Sequence, residues 1–253
     1  MDVRPVRALR NPRMIERREN LGVSVPWLVI SPHFDDAALS CGHLLALNPG
    51  SVVLTICSGV PETGVAASSW DRLSGFMTAE QAARERRVED AKALGILAAT
   101  QVTTDILDGP YRDPQADCED KAVEWIRRVM DEVSPERVAV PVGTRTHGDD
   151  MMTRRAGVRA VGGQRSVDTY LYADLPYFAD GHGSDVIAGT AVAELVDLIL
   201  VTDEVVERKA AALSHYRSQL PLLSKGFGSR FGAVFLPGAE RLYRLHTGPG
   251  EVR

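Results

Sequence analysis

Short apolar runs alternate along this chain with longer segments whose apolar residues recur at helical spacing. The runs have the length and composition of buried strands, and they are residues 25–30, 51–57, 102–107, 137–142 and 168–174. The helical segments are residues 37–47, 78–94, 116–133, 151–161 and 203–216. Because strands that alternate with helices build right-handed βαβ units, the pattern predicts an α/β, Rossmann-like fold with a mainly parallel sheet flanked by helices.

Turn and cap signals support this division into elements. Asn48-Pro49-Gly50 is a stop signal after the first helix, and Gly95 is the predicted C-cap of the second. Residues 1–25 are polar and irregular, and we predict that they form an N-terminal arm. No repeat or low-complexity segment interrupts the remainder, so residues 26–253 are predicted to form a single domain.

Composition and charge narrow the class of protein. With 253 residues and a formal net charge of −5, the chain lacks the basic excess of a general nucleic-acid binder. No apolar run approaches the ~20 residues of a membrane span and none near the start resembles a signal peptide, so we expect a cytoplasmic protein without a membrane partner. Three cysteines without C-x-x-C spacing argue against a disulfide framework and a thiolate zinc site.

Two loops that follow predicted strands are crowded with side chains that bind metals. The loop after the first strand contributes His33, Asp35 and Asp36, and the loop after the fourth contributes His147, Asp149 and Asp150. In open α/β sheets ligands bind beyond the carboxyl ends of the strands, so we expect the two loops to converge. Their nitrogen and oxygen atoms suit Zn²⁺, and more loosely Fe²⁺ or Mn²⁺.

A structural explanation competes with the metal site. An aspartate directly after a strand is often a helix N-cap, and this interpretation stays open for Asp36 taken alone. Two acidic clusters at strand ends repel each other unless a cation or a proton neutralises them. The pair of clusters therefore favours the metal site.

The same residues carry a resemblance to a known family. Residues 32–36, Pro-His-Phe-Asp-Asp, with Leu39 and Gly42 on the next helix, resemble the signature of the PIG-L/LmbE-like N-deacetylases. Segments that resemble later blocks of this family follow in the family's order at residues 86–95, 107–112, 172–177 and 209–219. The resemblance covers most of residues 27–220 and implies an LmbE-like fold and hydrolysis of an amide bond.

The resemblance also implies a role for each of these side chains. His33 and Asp36 would be metal ligands, and Asp35 would be the general base that accepts the proton of the attacking water. His147 would stabilise the oxyanion or protonate the leaving amine, and Asp149 would orient its ring. The residue types agree with this chemistry, because a divalent metal polarises an amide carbonyl and a neighbouring carboxylate accepts a proton.

The second loop departs from the family pattern at one position. The family's His-x-Asp-His block reads His147-Gly-Asp149-Asp150 here, so an aspartate stands where the last metal-binding histidine is expected. We predict that Asp150 is the third ligand through oxygen, with harder ions such as Mn²⁺ becoming more competitive. The alternatives are that His182 or His43 fills this position, or that metal binding is weakened or lost.

Two further side chains are predicted to contact substrate. Arg86 lies on the second helix, where an arginine of the relatives reaches substrate, and the alternative is a surface ion pair with Glu85 or Glu89. Trp70 lies in a polar loop near the predicted site, where its ring is able to stack on a sugar.

The residues and the resemblance together predict a metal-dependent amidohydrolase, with zinc as the first choice of metal. It would remove an acetyl or short acyl group from the nitrogen of an amino sugar, such as N-acetylglucosamine, or of a glycosylated small molecule in natural-product biosynthesis. Two alternatives stay open: a thiol-conjugate amidase of the same family, and a non-catalytic binding protein with a degenerate metal site. The serine-hydrolase and dinucleotide-binding classes lack their key motifs here, and a homo-oligomer is compatible with the sequence.

Overall fold

The apolar runs of the sequence form the strands of one sheet. The computed structural model describes residues 25–113, 115–144, 147–162, 166–178, 192–196 and 201–245. Its strands are β1 (Trp27–Ser31), β2 (Val52–Thr55), β3 (Thr100–Thr103), β4 (Arg137–Pro141), β5 (Asp168–Tyr172), β6 (Val192–Val196) and β7 (Leu242–Leu245). Its helices are α1 (Asp36–Leu47), α2 (Ser69–Leu73), α3 (Ala79–Ile96), α4 (Glu119–Val133), α5 (Gly148–Val161), α6 (Asp203–Leu213) and α7 (Leu220–Phe227).

The sheet of the described residues has the strand order β3-β2-β1-β4-β5-β7-β6. Strands β1 to β5 pair in parallel, whereas β7 pairs antiparallel with both β5 and β6. The parallel strands are separated in sequence by helices, as parallel neighbours require. This arrangement confirms the predicted α/β class with a mainly parallel sheet flanked by helices.

Alternate side chains of the central strands enter two separate cores. On β1, Trp27 and Val29 pack on one face of the sheet, whereas Leu28 and Ile30 pack on the other. Helix α1 packs on α6 at the first face, and α4 packs on α5 at the second. Because both faces are covered, both sets of side chains are apolar, which is why the strands appear in the sequence as continuous apolar runs.

Several element boundaries differ from the sequence-based expectation. Strand β3 ends at Thr103, because the N–H of Thr104 donates to the Ser58 side chain rather than to a neighbouring strand. Gly95 is not the C-cap of α3, since that helix continues to Ile96. The apolar pattern also misses α2, α7, β6 and β7, which are too short to show a clear period.

Some predictions lie beyond what the described residues test. Residues 1–24 and 246–253 are outside the described ranges, so the N-terminal arm and the single-domain boundaries stay predictions, as do the cytoplasmic location and a homo-oligomer. Cys41, Cys57 and Cys118 are free, which agrees with the expected lack of a disulfide framework. None of the helices in the described ranges combines the length and apolar content needed to cross a membrane.

The order of the central strands determines where a ligand can bind. β1 and β4 are neighbours although β2 and β3 lie between them in sequence, so a crevice opens at their carboxyl ends. Helix α1 follows β1 into this crevice, and α5 follows β4. Helix α5 packs closely on its strand, because a Cβ atom at Gly157 would lie only 2.5 Å from Cγ1 of Val140.

Helix α1 is interrupted at Cys41, whose φ of −132° and ψ of 18° are not helical. A buried ion pair binds the main-chain groups near this break. Nζ of Lys209 donates to the carbonyl of Leu39 at 2.7 Å, to the carbonyl of Val234 at 2.8 Å and to Oε1 of Glu240 at 2.8 Å. All three donors of the ammonium group therefore have acceptors.

Glu240 satisfies the other side of the break. Its Oε1 and Oε2 accept from the main-chain N–H groups of His43 at 2.7 Å and Leu44 at 3.1 Å. The stem of Lys209 crosses the helix at Gly42, where a Cβ atom would lie 2.7 Å from Cγ of the lysine. We refer to Lys209 and Glu240 as the α1 clamp.

Candidate metal centre and active site

The turn between β1 and α1 is closed by its own side chains. Oγ of Ser31 donates to the carbonyl of His33 at 2.8 Å and accepts from the N–H of Ala37 at 3.1 Å. Asp36 turns back toward this histidine: its Oδ2 accepts from the N–H of His33 at 2.9 Å and lies 3.2 Å from Nδ1. The carboxylate of Asp36 thus binds the main chain and lies beside the ring of His33 instead of capping the helix, which argues against the N-cap interpretation.

Asp35 occupies the N-cap position of α1 without capping the helix. Its φ of 122° is unusual for a residue other than glycine and costs conformational energy. The carboxylate has no hydrogen-bond partner among the described residues, and it lines a cavity. Backbone strain at a carboxylate that faces open space is typical of a functional group.

The second acidic pair lies on the first turn of α5 and not in a loop. Asp149 and Asp150 follow His147, which occupies the N-cap position. Oγ1 of Thr144 donates to Oδ2 of Asp150 at 2.9 Å, and Oδ1 of that aspartate lies 3.9 Å from Nδ1 of both His33 and His147. The structure therefore brings together the segments that follow β1 and β4.

His33 stands between two groups of metal-capable side chains. On its Nδ1 side, the ligand atoms of His33, Asp36 and Asp150 all lie within 4.8 Å of one another. On its Nε2 side, Cys57 and Asp149 form a second such group with the same histidine, and Oδ2 of Asp149 is 3.3 Å from Nε2. Each group offers three donors to a cation.

An arginine distinguishes the two groups. Arg112 donates from one terminal nitrogen to Oδ1 of Asp149, and its other terminal nitrogen lies 3.8 Å from Sγ of Cys57. A fixed cation therefore already neutralises the Nε2 side and would repel a second one. Within the described ranges, neither Asp36 nor Asp150 has an arginine or lysine partner. Among the described residues, the Nδ1 side is therefore the group without an arginine or lysine.

The ionisation of the carboxylates follows the same division. Burial, followed by repulsion from Asp36, raises the pKa of Asp150 to about 6. The same two causes raise the pKa of Asp35 well above its usual value. Burial also opposes the ionisation of Asp149, but its histidine and arginine partners hold its pKa below the usual value.

The donors on the Nδ1 side fit a divalent metal. Tetrahedral zinc with bonds of about 2.0–2.2 Å holds its ligand atoms about 3.3 Å apart. Nδ1 of His33 lies 3.2 Å from Oδ2 of Asp36 and 3.9 Å from Oδ1 of Asp150, so small side-chain shifts complete such a geometry. One imidazole and two carboxylates also suit Mn²⁺ and Fe²⁺.

A cavity of about 500 Å³ opens beside this centre, and its volume is typical of a small-molecule site. Its charged and polar lining includes His33, Asp35, Asp36, Arg86 and His147. Its apolar lining includes Trp70, Pro110, Leu175, Tyr177 and Leu223. The cavity therefore joins a charged centre to apolar and aromatic surfaces.

Arg86 lines this cavity, as its predicted role requires. It pairs with Asp71, and one of its terminal nitrogens lies 3.8 Å from Oδ2 of Asp108. The expected alternative, a surface ion pair with Glu85 or Glu89, is not formed among the described residues. The guanidinium is instead held at the edge of the acidic centre, where it is able to meet a polar ligand group.

Trp70 also lines the cavity, although 39% of its surface is exposed. The predicted loop contains the short helix α2 at this point, and its Ser68 N-cap accepts from the N–H of Asp71. The indole Nε1 donates to Oε1 of Gln219 at 2.9 Å. This hydrogen bond therefore fixes the position of the indole ring at the cavity.

The sequence predicts no catalytic or binding role for several residues that line the cavity, among them Asp108, Arg112, Tyr177 and Gln219. Burial lowers the pKa of His33, but its carboxylate partners, Asp108 first among them, raise it well above the usual value. Asp108 and Arg112 follow β3, and Tyr177 follows β5. The rule that functional side chains follow parallel strands would have found these three residues.

The structure corrects the expected role of Asp149. Its carboxylate contacts His33, Arg112 and the N–H of Gly109, which donates at 2.9 Å, and it makes no hydrogen bond to His147. The reason is helical geometry, because the first turn of α5 directs Asp149 toward the segment after β3. Asp149 therefore orients the histidine of the first loop and not that of the second.

The two histidine alternatives to Asp150 have different outcomes. His43 is fully buried in α1, where its Nδ1 lies 3.2 Å from Oε1 of Glu240 without hydrogen-bond geometry. It lies beside the α1 clamp, and it is not among the side chains that form the candidate metal centre. His182 lies outside the described residues.

A parallel sheet with acidic and imidazole groups at its switch point defines an α/β enzyme with a small-molecule centre. The sequence profile of the PIG-L family, described as GlcNAc-PI de-N-acetylase, matches residues 28–161. Because this segment is more than half of the chain, the chain belongs to the PIG-L family. No curated protein sequence gives a significant match.

Solved structures show the same fold in proteins of different activity. The A40926 pseudoaglycone deacetylase has a TM-score of 0.71 and 27% identity, over 88% of this chain and 97% of that chain. The zinc-inhibited form of teicoplanin deacetylase Orf2 has a TM-score of 0.74 and 22% identity, over 87% and 97%. GalB, the 4-carboxy-2-hydroxymuconate hydratase of Pseudomonas putida KT2440, has a TM-score of 0.58 and 18% identity, over 90% and 99%.

These comparisons confirm the family, the LmbE-like fold and the enzyme class predicted from the sequence. The family and the A40926 enzyme are deacetylases, which hydrolyse amide bonds. The hydratase shows that the fold by itself does not determine the reaction. The reaction must be argued from the side chains of the centre.

Proposed function

We propose that this chain is a metal-dependent N-deacetylase that removes an acetyl or short acyl group from the nitrogen of an amino sugar or glycosylated small molecule. The carrying observation is the set of three donors within 4.8 Å of one another beside a cavity of about 500 Å³. Deacetylases of this fold in teicoplanin biosynthesis and on the A40926 pseudoaglycone support a natural product as the substrate.

His33, Asp36 and Asp150 would hold the metal, with zinc as the first choice and iron or manganese as alternatives. When bound, the ion would polarise the carbonyl of the scissile amide and lower the pKa of the attacking water. Asp35 would accept the proton of that water, because its carboxylate faces the cavity without a hydrogen-bond partner in the described ranges.

The two histidines of the centre would have different roles. His147 is half exposed, and its ring centroid lies 5.9 Å from that of His33, so it is placed to protonate the leaving amine or to stabilise the oxyanion. An N–H at Nε2 of His33 would donate to Asp149, which leaves the Nδ1 lone pair for the ion. Arg112 fixes Asp149 in this position.

The metal site is tested by elemental analysis of purified and reconstituted protein. We expect about one equivalent of metal in the wild type, and a metal affinity lower by more than about 100-fold in Asp36→Asn and Asp150→Asn. Asp150→His supplies the ligand that the family uses and should retain metal. Glu132→Gln removes an exposed carboxylate at the end of α4 that pairs with Arg128 and does not line the cavity, so it is the matched control.

The activity is tested by amine release from N-acetylated amino-sugar glycosides and, in parallel, from an amide-containing thiol conjugate. Each of zinc, iron and manganese is titrated from below one equivalent to excess, since a relative is known in a zinc-inhibited form. Release from the glycoside supports the proposal, and release from the thiol conjugate alone supports the amidase. A folded wild type that binds none of the three metals and releases no amine would contradict both.

A further inference from the structure

Trp70 and Gln219 meet at the cavity from distant parts of the chain. Trp70 lies on α2, and Gln219 directly precedes α7. Both side chains line the cavity beside the metal centre, and the indole N–H of Trp70 donates to Oε1 of Gln219 at 2.9 Å. The contact is therefore part of the cavity surface and not of the hydrophobic core.

The hydrogen bonds that continue from Gln219 run in one direction. The indole nitrogen of Trp70 only donates, so the amide oxygen of Gln219 faces it and the amide nitrogen faces away. Nε2 of Gln219 donates to Oγ of Ser218 at 2.9 Å, and this hydroxyl donates to Oε2 of Glu89 at 2.6 Å. Because both oxygens of Glu89 accept from Ser218, the Ser218 hydroxyl accepts from Gln219, and both ends of this hydrogen-bond network fix the orientation of the glutamine amide.

Buried groups anchor this chain of hydrogen bonds. Glu89, Ser218 and Gln219 are all buried, and Oε1 of Glu89 accepts from the N–H of Ser218 at 2.9 Å. Oγ of Ser74 donates to the carbonyl of Ser218 at 2.8 Å, which ties the end of α2 to the same segment. A partly exposed tryptophan at the cavity is thereby held by a network that leads into buried groups.

We propose that Gln219 is a positioning residue that holds the Trp70 ring as an apolar wall for the sugar ring of the substrate. The inference rests on the proposed function, because it places an amino sugar in this cavity. One face of a pyranose ring presents C–H groups that pack on an aromatic ring, while its hydroxyls stay available to polar groups such as Arg86. Gln219 acts on glycoside affinity through the tryptophan.

The test compares Trp70→Phe, Gln219→Met and the double variant on the p-nitrophenyl glycoside of N-acetylglucosamine, with amine release as the assay. Phenylalanine keeps an aromatic ring but removes the N–H, and methionine keeps the chain length but removes the acceptor. We expect each single change to raise KM about three- to tenfold, with kcat changed less than about twofold. The double variant should be no worse than the poorer single variant, because both changes break one contact.

Two kinetic results would overturn the proposal. If the two single effects on KM multiply in the double variant, Gln219 contacts the substrate by itself and does not act through Trp70. If the single variants keep the wild-type KM, or lose kcat with KM unchanged, the tryptophan is not a wall of the sugar site.

A spectroscopic readout separates this inference from the proposed deacetylase activity. The indole N–H signal of Trp70 in a ¹⁵N–¹H correlation spectrum is assigned by its loss in Trp70→Phe. It should shift when the glycoside is added to wild type, and it should move in ligand-free Gln219→Met, while the signals of Trp27 and Trp125 stay in place. A shift of this signal without amine release would contradict the proposed deacetylase activity and support the role of Trp70 in sugar binding. Amine release without a shift would contradict the role of Trp70 and support the deacetylase activity.

Discussion

Helix α1 connects two clusters of charged side chains: one pairs opposite charges, and the other brings like charges together. At the break in the helix, the α1 clamp pairs one ammonium group with one carboxylate, and main-chain groups use the remaining hydrogen-bonding capacity. At the start of the helix, Asp36 repels both Asp35 and Asp150, and neither Asp36 nor Asp150 forms an ion pair with an arginine or a lysine in the described ranges.

The difference shows what each cluster is for. A buried ion pair with all its hydrogen bonds made keeps a segment in one conformation, although its net contribution to stability is small. A partly buried group of like charges lowers stability until a cation or a proton neutralises it, so we expect such a group where function requires it. The clamp therefore holds the helix in place, and the start of the same helix carries the side chain of Asp36, which we propose as a metal ligand.

The largest effect is expected from Asp35→Asn, which separates function from stability. Activity should fall about 10²- to 10⁴-fold, because the general base is lost. Stability of the metal-free protein should rise, because a partly buried carboxylate, whose ionisation is opposed by burial and by Asp36, is replaced by a neutral amide. Activity assays and urea unfolding check both parts. Lower stability of the metal-free variant would mean that repulsion among these carboxylates does not destabilise the metal-free protein.

Lys209→Met tests the clamp, and here we expect stability to fall and not to rise. The change leaves Glu240 buried without its cation and removes the donor of two carbonyl groups, so unfolding free energy should fall by about 3–5 kcal/mol. Arg84→Met breaks an exposed pair with Glu80 that solvent screens, so the unfolding free energy should fall much less than in Lys209→Met. Equal losses in the two variants would remove the distinction between the clamp and an ordinary surface pair.

Asp90 is an intermediate case that sharpens the comparison. It is buried and accepts from Tyr216 and Gln101, and burial raises its pKa to about 6. Because the folded state holds this proton more tightly than the unfolded state, the group lowers stability as pH rises from about 4 to 6 and beyond. The loss approaches about 3 kcal/mol.

Asp90→Asn should remove this pH dependence. The stability of the variant relative to wild type should therefore be about 2 kcal/mol more favourable at pH 7 than at pH 4, as measured by denaturant unfolding at both values. A difference between variant and wild type that does not change with pH would show that Asp90 ionises normally in the folded protein.

The smallest effect is expected from Gly42→Ala. The new Cβ would lie 2.7 Å from Cγ of Lys209, so the lysine must shift, and we expect a loss of about 1–3 kcal/mol in unfolding free energy. In the Lys209→Met background the same change should cost less, because a shift of methionine breaks no ion pair. Thermal unfolding of the single and double variants measures this coupling, and purely additive losses would contradict it.

Much of this architecture is readable from local sequence. Strands covered on both faces need apolar residues at every position, so β1, β2 and β4 appear as continuous runs, and their parallel order follows from the helices between them. The acidic and imidazole side chains after β1 and β4 are predictable for a related reason. In an open parallel sheet, the residues that follow the strands share one edge.

The partners of these side chains were decided by tertiary structure. Asp149 orients His33 and not the nearby His147, since a helical turn directs its carboxylate toward Arg112. The contact between Trp70 and Gln219 spans 149 positions in the chain.

The sequence by itself thus determined which elements form and which groups gather at the sheet edge, because hydrophobic period and residue type are local properties. Only the folded structure decided that Asp149 pairs with Arg112 and that Lys209 and Glu240 bind the break in α1. It also decided that the ring of Trp70 lines the cavity. Those outcomes depend on distances between segments that no local pattern encodes.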